Sequence, residues 1–341
     1  MKVLLWHVHG GWTDAFVRGD HDYVLPTTEA RDGWGLGRGG RDWPASAREV
    51  APEAIAAEDV DVVVLQRPEE AAEAERLTGR RIGHDLSAVF LEHNTPKGDV
   101  PTSVHPFADR DDLTVVHVTH VNALLWDTGR TRTTVVEHGI VDPGHRWTGG
   151  LPRLATAINE PVRRWRVTGT DLLPRFAEVA PVDVYGMGTD LLHDRFPGLE
   201  VHGLGDVKPS PMHAGLAQRR AYLHPMRWTS LGLALLEAMH LGMPVLALAM
   251  TEAPRAVPPE AGAVSADVDE LVRAARRLIE DPDEAAARGR VAREAALARY
   301  GLARFLRDWD DLLGPLPRRP RSPKGGHGGL AKQPTGLGEV A

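Results

Sequence analysis

The sequence of 341 residues contains no cysteine, and this absence excludes several kinds of site at once. Disulfide bonds, thiolate zinc centres and cysteine nucleophiles all require that residue. Long apolar runs are also missing, since no stretch reaches the roughly 18 residues that suggest a membrane-spanning helix. The opening MKVLLWHVHGG has too short an apolar run for a signal peptide. We therefore expect a cytoplasmic protein without a transmembrane segment.

The sequence also lacks a strong excess of one charge. Its formal net charge is −7, with 26% charged and 42% apolar residues. This composition is typical of a globular protein and gives no reason to expect nucleic acid as a partner. Because a domain usually contains about 150 residues, the length favours two domains.

Two recognisable site patterns are incomplete. A dinucleotide fingerprint needs G-x-G-x-x-G directly after a strand, and neither HGGWTD after the first strand nor GWGLGRGG at residues 33–40 supplies it. We interpret residues 33–40 as a mobile loop. Asp59 and Asp61 have the spacing of a metal-binding Asp-x-Asp pair, but they precede a strand and are interpreted as a turn.

Short apolar runs alternate with helical patterns through both halves of the sequence, which predicts an α/β protein with parallel sheets. A helix is expected around residues 45–57. A segment rich in Gly and Pro, residues 142–152, is the predicted domain boundary. The predicted strands are residues 2–8, 60–65, 88–91, 113–118, 133–137, 154–158, 182–185, 201–202, 221–224 and 244–249.

Polar residues and glycines follow several of these strands. Ligands of open α/β sheets bind beyond the carboxyl ends of the strands, so these residues should converge on one rim. They are Gly10, Gly11, Arg67, His93 and Asn94. A lone histidine is more often structural than functional, but its strand-end position favours a role for His93.

The most informative stretch runs from residue 221 to residue 251. It predicts a strand, a loop, a helix that begins near Thr229 or Ser230, and a second strand. The backbone N–H groups of Ser230, Leu231 and Gly232 would then form an anion site at the helix start. Apolar residues surround most of this helix, yet Glu237 lies in its middle. Its carboxylate either faces a polar cleft or lies on a solvated stripe, because burying it alone is expensive.

The residues TSLGLALLEAMHLGMPV at 229–245 resemble the donor-binding signature of the family 4 retaining glycosyltransferases of GT-B fold. That resemblance implies two Rossmann-like domains facing across a cleft, with a C-terminal helix that crosses back to the first domain. The expected divisions are an acceptor domain at residues 1–148, a nucleotide-sugar donor domain at 149–300, the crossover helix at 301–314 and a tail at 315–341. The tail's Pro, Gly and basic residues predict disorder.

The same resemblance assigns roles to individual residues. Glu237 corresponds to the glutamate that holds the ribose of the donor, and His93 to a histidine that contacts the donor sugar. Arg163 and Arg164 would neutralise the diphosphate. The family's other glutamate and its lysine are replaced here by Thr229 and Thr168.

The implied activity is transfer of a sugar from a nucleoside-diphosphate sugar to an acceptor hydroxyl, with retention and without a metal or resident cofactor. The acceptor would be a small molecule or a glycan- or lipid-linked molecule. Two alternatives stay open. One is a sugar-nucleotide epimerase or hydrolase with the same fold, and the other is a non-catalytic nucleotide-sugar-binding protein, as the changes to Thr229 and Thr168 suggest.

Overall fold

The computed structural model describes residues 1–317 and divides them between two parallel β-sheets. The first sheet has seven strands in the order β3-β2-β1-β4-β5-β6-β7. All seven are parallel and most of their apolar side chains are buried, as expected of strands covered by helices on both faces. The strands are β1 Lys2–Leu5, β2 Asp22–Pro26, β3 Ala47–Val50, β4 Val62–Leu65, β5 Ser87–Glu92, β6 Thr114–His117 and β7 Arg132–Val135.

The second sheet has six parallel strands in the order β10-β9-β8-β11-β12-β13. In each sheet the strand order reverses beside the first strand, β1 or β8, and this reversal creates a crevice at the carboxyl ends of the strands. The predicted boundary at residues 142–152 extends from the connection between the sheets into the start of β8. The strands are β8 Leu151–Ala157, β9 Val182–Tyr185, β10 Val201–Gly205, β11 Arg219–His224, β12 Val245–Leu248 and β13 Gly262–Ser265.

Helices pack against both sheets and bury one apolar cluster on each face. Those of the first half are α1 Gly10–Phe16, α2 Glu70–Thr78 and α3 His120–Leu125. Those of the second half are α4 Pro161–Thr168, α5 Leu173–Ala177, α6 Leu192–Arg195, α7 Pro209–Leu216, α8 Leu233–Leu241, α9 Ala253–Ala256, α10 Val268–Glu280, α11 Pro282–Tyr300 and α12 Leu302–Leu313. Within residues 1–317, none of the helices has the length and apolar character needed to cross a membrane.

The last helix, α12, returns to the N-terminal domain. Its Phe305, Trp309 and Leu313 are buried in the same apolar cluster as Trp12 and Phe16 of α1. Helix α12 is therefore an integral part of the N-terminal core. The predicted crossover helix is confirmed.

The predicted helix at residues 45–57 is wrong. Those residues form the edge strand β3, which pairs in parallel with β2, followed by a short 3-10 helix at Pro52–Ala57. Proline fits the first turn of a helix but not its interior, so a single helix cannot continue through Pro52. The segment is therefore divided into a strand before this proline and a short helix that begins at it.

The predicted disordered tail, residues 315–341, falls almost entirely outside the described residues. Of the part that is described, Leu316 packs on the N-terminal core and the carbonyl oxygen of Pro317 accepts a 2.7 Å hydrogen bond from Ser87 Oγ.

Candidate active site

A cavity of about 390 Å³ lies between the two domains at the carboxyl ends of their strands. The N-terminal domain contributes Gly11 and Arg41 to its wall, and the C-terminal domain contributes the rest. Five residues predicted from the sequence or the resemblance as site residues meet here: Gly11, Arg164, Thr229, Gly232 and Glu237. The other lining residues are Ala157, Asn159, Tyr185, Gly186, Asp206, Val207, Pro209, Met212, Met226, Leu233 and Ala234.

Glu237 faces this cavity from α8. Its helix neighbours Leu236, Ala238 and Met239 are fully buried, whereas the Glu237 side chain remains 17% exposed. Its Oε2 lies 3.3 Å from Nε2 of His213 on α7. The carboxylate therefore lies at the cleft wall beside a polar partner, and an apolar helix can accommodate it there without burying an isolated charge.

Helix α8 begins at Leu233, not near Thr229 or Ser230 as predicted. Gly232 is its N-cap residue, and no side chain caps the helix. Ser230, which the sequence suggested as a cap, instead donates a 2.6 Å hydrogen bond from Oγ to the carbonyl oxygen of His93 in the other domain. The anion site proposed at the amides of Ser230 and Leu231 is thus not at the start of the helix.

The loop before α8 is divided between the core and the cleft. Leu231 is buried in the C-terminal apolar core, while Thr229 and Gly232 line the cavity. Thr229 Oγ1 is buried and has no hydrogen-bond partner among residues 1–317. A buried hydroxyl without a partner is costly, which sets Thr229 apart from the other residues of this wall.

The arginine-rich segment that contains Arg163 and Arg164 is helical and forms α4. Arg164 reaches the cavity, and burial together with the neighbouring Arg163 lowers the pKa of its guanidinium. Arg163 lies outside the 390 Å³ cavity, is 70% exposed and lies 3.3 Å from Glu160. Of these two arginines, only Arg164 lines the cavity.

Thr168 lies at the end of α4, and its side chain points inward. The residue is fully buried, and its hydroxyl lies within hydrogen-bond distance of the Trp165 carbonyl oxygen, at 3.3 Å, and of Thr170 Oγ1, at 2.9 Å. A hydroxyl that is engaged in this way has no access to the cleft. Residue 168 is consequently closed to ligand in this protein.

Arg41 is a cleft residue that sequence reasoning missed. Its guanidinium lies against Gly10, where a Cβ atom would overlap with it, and it lines the cavity beside Gly11. The preceding glycine-rich loop is irregular, as predicted, but it is attached to the sheet. Arg67 Nη1 donates a 2.9 Å hydrogen bond to the Gly33 carbonyl oxygen, and the Arg67 guanidinium stacks on Trp34 at 4.0 Å. An arginine directly after a glycine-rich tract was the available signal.

His93 is placed beneath the rim and does not line the cavity. It is only 8% exposed, its Nε2 lies 2.9 Å from Gln66 Oε1, and its ring packs 3.9 Å from the ring of His9. The ends of β1, β4 and β5 thus meet through His9, Gln66 and His93. Burial lowers the pKa of His93 well below its ordinary value and that of His9 to about 4, so both rings are neutral at pH 7.

A second groove, of about 570 Å³, adjoins the cavity. Arg164 and Thr229 line both spaces. The remaining wall residues of the groove are Asn94, Thr95, Lys97, Gly98, Arg163, Val167, Trp228 and Ser230. In the described part of the chain, no group of three or more His, Asp or Glu side chains is arranged to hold a metal ion.

Comparison with known proteins gives a family for part of the chain and a fold for nearly all of it. Residues 170–281, which contain Thr229 and Glu237 but not Arg163 or Arg164, match the family described as glycosyl transferases group 1. No curated protein matches the sequence significantly.

Solved structures cover both domains. Sucrose-phosphate synthase from Thermosynechococcus elongatus is 13% identical with a TM-score of 0.70, over 92% of this chain and 98% of that one. HepE from Anabaena in complex with UDP-glucose is 15% identical with a TM-score of 0.70, over 93% and 100%. TarM from S. aureus, in a complex that contains UDP, is 14% identical with a TM-score of 0.60, over 74% and 55%. The protein therefore has the GT-B fold expected from the resemblance, and residues 170–281 are similar to the group 1 glycosyl transferases.

Proposed function

We propose that this protein transfers a sugar from a nucleoside-diphosphate sugar to an acceptor hydroxyl. The observation that carries the proposal is that Glu237 and Arg164 line the same interdomain cavity, opposite Gly11 and Arg41. A carboxylate suits the paired hydroxyls of a ribose, and guanidinium groups suit a diphosphate. The similar fold of HepE, which binds UDP-glucose, favours a UDP-sugar as the first donor to test.

The cavity allows a role to be proposed for each wall. Glu237 would accept hydrogen bonds from the ribose hydroxyls, with His213 Nε2 at 3.3 Å as its neighbour. Arg164 would hold the diphosphate from the C-terminal side and Arg41 from the N-terminal side. Gly11 and Gly232 would let the donor approach the backbone closely, since neither carries a side chain, and Gly10 would leave room for the Arg41 guanidinium. Thr229 and Ser230 would border the transferred sugar, and buried His93 would support that wall.

The mechanism proposed is the retaining, metal-independent one that the resemblance to family 4 implies. The acceptor oxygen forms a bond to the anomeric carbon as the bond between that carbon and the phosphate oxygen breaks, and the departing diphosphate takes the hydroxyl proton. Negative charge therefore gathers on the leaving group. Preplaced guanidinium groups such as those of Arg164 and Arg41 stabilise that charge without reorganising. A cytoplasmic location is part of the proposal, and cell fractionation tests it.

A thermal-shift screen of UDP-, GDP- and ADP-sugars tests the donor site. A ligand that binds only the native state raises the unfolding midpoint, so one donor should stabilise the wild-type protein. Glu237→Ala and Glu237→Gln should both lose that shift. Glu294→Ala, a change at an exposed glutamate of α11, should keep it. The absence of a shift with every donor would contradict the proposal.

Two observations are compatible with other functions, which the experiments must distinguish from sugar transfer. Asp206 is a second carboxylate in the cavity wall, as a hydrolase or epimerase would need, and such an enzyme would consume the donor without any acceptor. Thr168 is buried away from the cleft, which is compatible with a non-catalytic binding protein. Such a protein would show the donor-induced rise in the unfolding midpoint but no turnover. Release of nucleoside diphosphate that depends on an acceptor separates transfer from both.

A further inference from the structure

The 570 Å³ groove beside the active-site cavity carries positive charge without a matching negative charge. Three cationic side chains, those of Lys97, Arg163 and Arg164, are in its wall, and no carboxylate is. Among residues 1–317, Lys97 and Arg164 have no carboxylate within ion-pair distance, and the contact of Arg163 with Glu160 is exposed and 3.3 Å long. Exposed pairs of this kind are worth little, so the groove stays electropositive.

The groove walls come from both domains, as expected of a passage into the cleft. Lys97 follows β5 of the N-terminal domain, and Arg163 belongs to α4 of the C-terminal domain. The walls are fixed to each other, because Trp228 Nε1 donates a 2.8 Å hydrogen bond to the Pro96 carbonyl oxygen. This contact lies next to Lys97 in the chain and limits how far the two cations can separate.

The groove leads to the place where the proposed reaction would occur. Thr229 and Arg164 line both the groove and the cavity, so a molecule in the groove would meet the donor at these two residues. Thr229 Oγ1 is the buried hydroxyl without a partner. The groove also offers neutral hydrogen-bonding groups in the side chains of Asn94 and Thr95, which suit the hydroxyls of a small polar molecule.

We propose that the acceptor is an anionic small molecule that enters through this groove, with its phosphate or carboxylate bound by Lys97 and Arg163. Its attacking hydroxyl would lie at the junction formed by Thr229 and Arg164. The guanidinium of Arg163 offers a fork that matches either anion, and Lys97 adds a mobile point charge. The inference rests on the proposed sugar transfer. It assigns Arg164 to binding of the donor, and Lys97 and Arg163 to binding of the acceptor.

The first experiment measures anion binding without any acceptor or turnover. Inorganic phosphate, compared with chloride at equal ionic strength and in the presence of saturating UDP, should raise the unfolding midpoint of the wild-type protein. The double variant Lys97→Ala/Arg163→Ala should lose the phosphate shift and keep the UDP shift. Arg130→Ala, which removes an exposed arginine from another part of the N-terminal domain, should keep both.

The second experiment compares matched acceptors with the donor that the thermal-shift screen selects. Hexose 6-phosphates and glucuronate should be used at least tenfold better in kcat/KM than glucose and fructose. Lys97→Ala and Arg163→Ala should each raise the KM of the charged acceptor about tenfold with little change in kcat, because each removes one charge-assisted hydrogen bond made before and during transfer. Lys97→Arg should restore much of the loss. Comparison of the phosphates with glucuronate then identifies which anion is preferred.

Three results would overturn the inference. They are a phosphate shift that survives in the double variant, a UDP shift that the double variant loses, and equal use of charged and neutral acceptors. Failure of the proposed function looks different. In that case UDP and all donors leave the wild-type midpoint unchanged, while the phosphate shift, measured without UDP, still reports on Lys97 and Arg163.

Discussion

Ser230 Oγ donates a 2.6 Å hydrogen bond to the carbonyl oxygen of His93, and this bond joins the two domains at the junction of the cavity and the groove. The donor residue lies in the loop before α8, and the acceptor lies at the end of β5. The position of Thr229, the next residue along the cleft wall, therefore depends on contact with the N-terminal domain as well as on α8.

We predict that Ser230→Ala impairs transfer more than donor binding. The change leaves the His93 carbonyl without its donor and should lower the free energy of unfolding by about 1 kcal/mol. The midpoint shift caused by the donor should persist, since Glu237 and Arg164 are unaffected, while kcat falls. Denaturant titration and initial rates measure both quantities. The matched change Ser265→Ala removes a serine hydrogen bond to Glu270 within one domain and should leave kcat unchanged. Loss of donor binding by Ser230→Ala would contradict this assignment.

We predict that Arg164→Ala weakens donor binding between about tenfold and a hundredfold. Its guanidinium is the cation of α4 that lines the cavity, and charge-assisted hydrogen bonds contribute about 1.5–3 kcal/mol. Titration with UDP and with uridine separates the diphosphate contribution, because uridine affinity should change little. Arg166→Ala is the control on the same helix, since Arg166 is 72% exposed and lies 3.3 Å from Asp171. Equal effects of the two changes would argue against a diphosphate contact at Arg164.

Much of this fold follows from local sequence. The apolar strands are recognisable because fully buried parallel strands need continuous runs such as Val62–Leu65, and β9 at Val182–Tyr185 was predicted to the residue. Glu237 was identifiable for a similar reason, since a carboxylate within an apolar helix needs a polar surface to face. These inferences use neighbours in the chain, which a sequence displays directly.

Several features of the site could not be predicted, because they depend on contacts between residues that are distant along the chain. Ser230 is a good helix cap in isolation, but its hydroxyl bonds to a residue 137 positions away. Arg41 follows a glycine-rich loop that distant residues hold in place, among them Arg67 through its hydrogen bond to Gly33. The sequence gives no sign that Thr168 is buried, whereas in the structure its side chain is fully buried. Tertiary contacts override local preference in each case.

We predict that Gly10→Ala and Arg41→Ala impair donor binding through the same contact. A Cβ atom at position 10 would overlap with the Arg41 guanidinium and displace it from the cavity wall. Because Arg41 is flexible and at the surface, stability should change by less than about 1 kcal/mol. The donor affinity of the double variant should match that of Arg41→Ala alone, a non-additivity that a double-mutant cycle measures. Additive losses would show that Gly10 and Arg41 act independently.

We predict that Thr168→Lys, which introduces the lysine that the resemblance to family 4 implies at this position, does not improve donor binding. The side chain of residue 168 is fully buried, so an ammonium group there would lose its hydration. The expected loss is about 3 kcal/mol or more in the free energy of unfolding, measured by urea titration. Thr229→Glu, at the other replaced position, should fold normally, because residue 229 lines both open spaces. A stable Thr168→Lys variant that binds donor more tightly would refute this interpretation.

Finally, we predict that the protein becomes less stable as the pH falls from about 6.5 to 4. Burial, together with the nearby His105, lowers the pKa of His117 to about 4 from its ordinary 6.5, and neither ring nitrogen of His117 has a hydrogen-bond partner in the described structure. Between these two values the unfolded chain binds a proton that the folded protein does not, so stability rises with pH through this window and the effect disappears above it. For His117 alone the loss at pH 5 is roughly 2 kcal/mol. His9, His138 and His224, whose pKa values burial also lowers to about 4, act in the same direction.

The variant His117→Phe isolates one member of this group, because phenylalanine retains a ring of similar size and cannot bind a proton. The difference in the free energy of unfolding, variant minus wild type, should be about 2 kcal/mol higher at pH 5 than at pH 7.5. The variant therefore gains stability relative to wild type at the lower pH, whatever the packing cost of the change at the higher pH. Urea titrations of both proteins at the two pH values measure this difference. Parallel stability curves for the two proteins would show that His117 takes up its proton equally in the folded and unfolded states.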